Sequence, residues 1–141
     1  MGSLFRTADA FGVVKVLLCG TTPAPFDRFG RKRSDIAKVA LGAEEMVAYE
    51  YVPSVLDGIA QLKNEGMAIV AVEQDVRALD YTTFTQMGDT AFVFGDEVRG
   101  VSGEVLDRAD AIVEIPMRGT KESLNVSVCV GIILAHRLAQ A

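Results

Sequence analysis

Short apolar runs recur along this chain, each too brief for a core helix and each closed by glycine, proline or a polar loop. They occupy 13–19, 46–52, 67–72, 91–94 and 111–115. Runs of this length, bounded by turn residues, read as buried strands. Helical patterns separate them. Leu4, Ala8 and Phe11 share a stripe over 3–11, with Ser3 placed to cap and Gly12 to stop it. A short helix is expected over 34–41, ended by Gly42. Another starts in the turn at Pro53 and runs through Val55, Ile59 and Leu62 to Gly66. Ser102 caps a brief helix over 104–108, and a last helix begins at Ser123 and continues to the C-terminus. Strands alternating with helices predict an α/β fold, a parallel sheet covered on both faces. At 141 residues the chain suits one domain, 1–141, with one core.

The bulk properties remove several function classes. No apolar stretch reaches the roughly 18–20 residues of a membrane span, and the N-terminal segment lacks the apolar core of a secretory signal. Cys19 and Cys129 sit inside apolar runs, so they read as buried thiols, and a cytoplasmic home fits them. One histidine and no Cys-x-x-Cys pair argue against a metal site. The net charge of −5 argues against a protein that merely coats nucleic acid. It leaves room for a local basic patch, and Arg28, Arg31, Lys32, Arg33 and Lys38 form one, beside Phe26 and Phe29. A solvated loop is the plainer alternative. His136 reads as a solvated cation near a helix end.

The last third carries the chemistry. The strand at 91–94 runs into Gly95, Asp96, Glu97, Val98, Arg99 and Gly100. The strand at 111–115 runs into Pro116, Met117, Arg118 and Gly119, then Ser123, Leu124, Asn125, Val126 and Ser127. Loops of this kind converge at the carboxyl edge of a parallel sheet, where open α/β folds bind their ligands. The final helix is apolar nearly all round, from Leu124 to Leu134, before His136 and Arg137. In so small a chain that points to a subunit interface and a homodimer.

At these residues the sequence resembles the SpoU/TrmH-type RNA methyltransferases of the SPOUT superfamily. Gly2 to Gly12, with Arg6 before the Phe11-Gly12 pair, is similar to the first family motif. Phe94 to Gly100 resembles the second, Gly-x-Glu-x-x-Gly. Ile115-Pro-Met-x-Gly119 with Ser123-Leu-Asn-Val-Ser127 resembles the third, and it is the most specific. The resemblance implies an α/β domain with a C-terminal trefoil knot, a feature that chain topology alone would not suggest. Since Met1 stands just after the place of a family asparagine, it also implies that the first strand is missing.

The implied reaction is methyl transfer from S-adenosylmethionine to a ribose 2′-hydroxyl in tRNA or rRNA, with tRNA favoured. A non-catalytic knotted dimer that binds S-adenosylmethionine or RNA is the alternative. Carried over by motif, Val72, Gly95, Ile115 and Leu124 hold the cofactor, and Arg6, Glu97, Ser123 and Asn125 serve catalysis. Each has a plainer reading. Ile115 and Leu124 could simply be core, and Arg6 could pair with Asp9 on the helix surface. Glu97 could be a solvated turn residue, and Ser123 and Asn125 could be helix caps.

Overall fold

The computed structural model describes residues 2–20, 47–85, 88–96 and 98–140. Two compact units divide it, Met1–Val55 and Leu56–Ala141. The expected helix over 34–41, the basic cluster from Arg28 to Lys38, Phe26, Phe29 and Glu97 lie outside the described residues.

In the first unit, helix α1 (Gly2–Ala10) buries Phe5 and Ala8, three residues apart on one face, against Leu18 and Val47. Ser3 lies within this helix rather than capping it. The chain turns at Gly12, where the Val13 N–H donates to the Ala8 carbonyl at 2.9 Å. Strand β1 (Lys15–Cys19) then pairs in parallel with β2 (Ala48–Val52), Leu18 opposite Tyr51. Tyr49 meets the Phe5 ring edge-on, centroids 5.9 Å apart. Lys15 and Glu50 pair at 3.3 Å across the two strands, a partly exposed contact worth little in water.

The second unit holds helix α2 (Val55–Asn64) from its second residue onward and a four-stranded parallel sheet. Its strands are β3 (Ala68–Val72), β4 (Leu79–Asp80), β5 (Thr90–Phe94) and β6 (Ala111–Glu114), in the order β4-β6-β3-β5. Central β3 shows no polar alternation because both of its faces are covered. On one face Val70 and Val113 pack with Ile133 of helix α4 (Val126–Ala139). On the other, Ala71 and Ile112 pack with Leu106 of helix α3 (Gly103–Arg108). Asp110 anchors the start of β3 twice: its carboxylate accepts from the Ile69 N–H at 2.7 Å, and its own N–H donates to the Ile69 carbonyl at 2.8 Å.

Two features depart from the sequence expectation. Strand β4 and the 3-10 turn Tyr81–Thr83 were not foreseen, since two paired residues carry no periodic signal. Helix α4 starts at Val126 and not at Ser123. Its apolar surface is only partly covered: Val130 and Ile133 are buried, whereas Val128 is 49% and Leu138 56% exposed. Among the described residues no helix is long and apolar enough to cross a membrane.

Candidate active site

Strand register brings three of the four expected cofactor residues to one edge. Val72 ends β3 and stands level with Phe94 of β5 and Val113 of β6. Gly95 therefore emerges beside it on one flank, and Ile115 on the other. Neighbouring strands lie about 5 Å apart, so the three positions span on the order of 10 Å. Val72, Gly95 and Ile115 are all half-buried.

The loop after β5 folds upon itself. The Asp96 carboxylate accepts from the N–H groups of Val98 at 2.8 Å and Arg99 at 2.6 Å, while its carbonyl accepts from the Gly100 N–H at 3.0 Å. Gly100 takes φ +66°, a left-handed conformation that side chains disfavour. Gly95 is required for a different reason. A Cβ there would lie 2.1 Å from the Gly100 carbonyl carbon and 2.5 Å from the Val101 nitrogen. The loop closes on Ser102, whose hydroxyl accepts from the Val105 N–H at 3.3 Å and caps α3 as expected.

The Arg99 and Val98 N–H groups hold the Asp96 carboxyl below its ordinary range. A group whose folded value is depressed contributes fully above its unfolded pKa, about 3.9, and loses that contribution as pH falls through the folded value. The stability gap between the parent and Asp96→Asn, read by urea melts, is therefore expected to shrink as pH drops below about 4. A gap that stays constant down to the acid limit would contradict this.

The third segment leaves β6 and runs without regular structure from Ile115 to Asn125. Asn125 is the N-cap of α4, its side-chain oxygen accepting from the Ser127 N–H at 2.8 Å. The plainer reading thus holds for Asn125 and fails for Ser123, which is exposed and precedes the cap. Asn125→Ala is expected to cost about 1 kcal/mol in chemical denaturation, and Asn125→Asp to retain most of it. Leu124 is half-buried, and its carbonyl faces the Cys129 thiol at 3.9 Å. Neither cysteine is in a disulfide, and burial pushes both thiols up.

Arg6 stands exposed on α1 of the first unit, and among the described residues it makes no ion pair, with Asp9 or otherwise. His136 is not the fully solvated residue that the sequence suggested. It is half-buried, packs edge-on against Tyr81 with centroids 5.2 Å apart, and lies 3.0 Å from the Gln140 amide nitrogen. The sequence reading passed over Glu73. Its carboxylate accepts from the Val101 N–H at 2.7 Å and so ties the end of β3 to the glycine loop. The available signal was an acid directly after a buried strand, at the end where ligands bind.

The sequence profile of the SpoU rRNA methylases matches residues 1–135. The chain belongs to the SpoU rRNA methylase family. Among its relatives is a 23S rRNA (guanosine-2′-O-)-methyltransferase of Coxiella burnetii, 39% identical over 138 residues, which cover 95% of this chain and 51% of that protein. A tRNA (guanosine(18)-2′-O)-methyltransferase of Aquifex aeolicus is 32% identical over 132 residues, covering 94% of this chain and 59% of that one. The chain spans about half the length of the curated relatives it matches.

Solved structures agree. The TrmH/SpoU tRNA modifying enzyme of A. aeolicus superposes with a TM-score of 0.83 at 30% identity, over 99% of this chain and 67% of that one. An AdoMet-bound rRNA methyltransferase from Sinorhizobium meliloti gives 0.87 at 26% identity, over 99% and 51%. The parallel α/β fold of the SpoU methylases is therefore the fold of this chain.

Proposed function

We propose that residues 1–141 act as one domain that transfers a methyl group from S-adenosylmethionine to a ribose 2′-hydroxyl of rRNA or tRNA. The observation that carries this reading is the single sheet edge shared by Val72, Gly95 and Ile115, in a chain of this family. The residues fit the cofactor. A neutral adenine is held by main-chain N–H and C=O groups between apolar walls. Val72, Ile115 and Leu124 are half-buried and apolar, and side-chain-free Gly95 lets the Gly100-Val101 bend close against it beside them. When bound, the sulfonium supplies an electrophilic methyl.

The protein's own part is orientation and charge. Arg6 binds the phosphate beside the target ribose and stabilises the developing alkoxide. It is a poor general base, since a guanidinium is a very weak acid that does not readily give up its proton. Glu97 orients the arginine, and Ser123 and Asn125 position the hydroxyl and the cofactor loop. The relatives named above act on guanosine, which makes guanosine the favoured target. Of the two substrate classes, this reading favours tRNA over rRNA. The partly bare apolar face of α4, with Val128 and Leu138 exposed, fits burial against a second copy. Two cysteines outside any disulfide suit the cytoplasm. The irregular segment from Ile115 to Asn125 is where the family's trefoil knot would close.

The test is incubation of the full chain with methyl-labelled S-adenosylmethionine and total RNA, followed by nuclease digestion. Label in 2′-O-methylguanosine is the expected result. Calorimetric binding of the donor with no label in any RNA would leave only a cofactor-binding dimer. A sedimentation mass of one chain would sink the dimer itself.

A further inference from the structure

Besides the residues that the family motifs supply, one carboxylate serves the loops of this edge. Glu73 is the first residue beyond β3. Its N–H still donates to the Val113 carbonyl at 3.0 Å, so its main chain remains in the frame of the sheet. Its two carboxylate oxygens do different work. One accepts from the Val101 N–H at 2.7 Å, across the loop, and the other from the Gln74 N–H at 2.9 Å. A Cβ built on Gly100 would lie 2.3 Å from the Glu73 carboxylate, so the acid is packed directly against the left-handed bend. The same bend excludes any side chain at Gly95. Glu73, Gly100 and Gly95 form a stack of three, and the acid is its base. Its charge also reaches Cys129 in the first turn of α4, just after Leu124 and Asn125, where it adds to the effect of burial on that thiol.

We propose that Glu73 is a positioning residue for the methyl-donor pocket, setting the height of the Gly95 backbone by holding the Gly100-Val101 bend against the end of β3. This rests on the methyltransferase reading above. The clamp needs a carboxylate because both oxygens face N–H donors. An amide offers one oxygen and one NH₂, so Glu73→Gln sets donor against donor on one side. Glu73→Ala removes both acceptors and leaves the half-buried Val101 N–H without its partner. Charged acceptors hold such donors more strongly than neutral ones.

Two measurements on the full chain decide the matter. In amide hydrogen exchange, the Val101 N–H is expected to exchange about tenfold to a hundredfold faster in Glu73→Ala than in the parent, the size expected for losing a bond to a charged group, and about fivefold faster in Glu73→Gln, whose remaining amide oxygen is a weaker, neutral acceptor. Val70, at the centre of β3, should keep its rate. An unchanged Val101 rate overturns the inference. In calorimetry, the S-adenosylmethionine Kd is expected to rise by about tenfold in Glu73→Gln. Turnover at saturating donor should stay near the parent rate, a split that general destabilisation would not produce. Glu73→Ala should be worse on both counts, and the glutamine variant carries the test where the alanine variant does not fold. Equal Kd values in a parent that binds overturn this inference alone. A parent that takes up no donor overturns the methyltransferase reading and this inference with it.

Discussion

Replacing Arg6 by alanine is expected to reduce methyl transfer to RNA by about a hundredfold to a thousandfold, the range seen when one charge-stabilising donor is removed from a transition state. Donor binding should not change, because the proposed role of Arg6 is toward the RNA phosphate and the alkoxide and not toward the donor. Stability should not change either, because the Arg6 side chain is exposed and makes no ion pair among the described residues. Arg6→Lys keeps the charge and loses the planar fork, so it should recover only a small part of the activity. The measurements are single-turnover methylation of RNA, donor calorimetry and a thermal melt on each variant. Full activity in Arg6→Ala would remove the residue from the mechanism. A parallel loss of melting temperature would make it structural.

Gly95→Ala is expected to be the most damaging single methyl addition in the second unit. The new carbon would meet backbone on every near side: the Gly100 carbonyl carbon at 2.1 Å, its oxygen at 2.4 Å and the Val101 nitrogen at 2.5 Å. No flexible side-chain end is there to yield, so the loop itself must move. Overpacking of this kind costs about 1–3 kcal/mol, sometimes more. The displaced loop should also weaken donor binding by about a hundredfold, equivalent to roughly 2.8 kcal/mol. Gly103→Ala is the matched control. A Cβ there has nothing within 4 Å, and the position opens helix α3. It should be neutral or stabilise by up to about 1 kcal/mol, since alanine suits helices better than glycine. Comparable melting temperatures and donor affinities for the two variants would refute the close-packed account of this loop.

Much of this architecture was legible in the order of the residues. The strand at 67–72 reads as buried from its unbroken apolar run, and both faces of β3 are indeed covered. Ser102 was legible as a cap because a hydroxyl stands before an acid and an apolar pair, the ordinary start of a helix. Ser123 misled for the same reason. Serine and asparagine are both good caps, and only the three-dimensional path of the chain decides that Asn125 takes the role. Register explains the site: Val72, Gly95 and Ile115 were singled out by the resemblance, and pairing of β3 with both neighbours sets Val72 level with Phe94 and Val113, so that Gly95 and Ile115 follow just beyond it at the same edge. Glu73 was illegible because its partner, the Val101 N–H, is a backbone group 28 positions away. Sequence reports side chains, and this contact depends on where a distant peptide unit turns. His136 was misjudged on similar grounds, since its cover comes from Tyr81 on a 3-10 turn that no pattern announces.

The central strand is bracketed by acids, Asp110 bonding to Ile69 near its start and Glu73 bonding to Val101 just past its finish. Sliding such a strand along its neighbours by one step would turn every side chain over, sending Val70 toward α3 and Ala71 toward α4. Each acid has a fixed amide to find, so the slipped alignment loses both moorings at once. Misalignment during folding is thereby penalised at two separated points, one near each end of the strand.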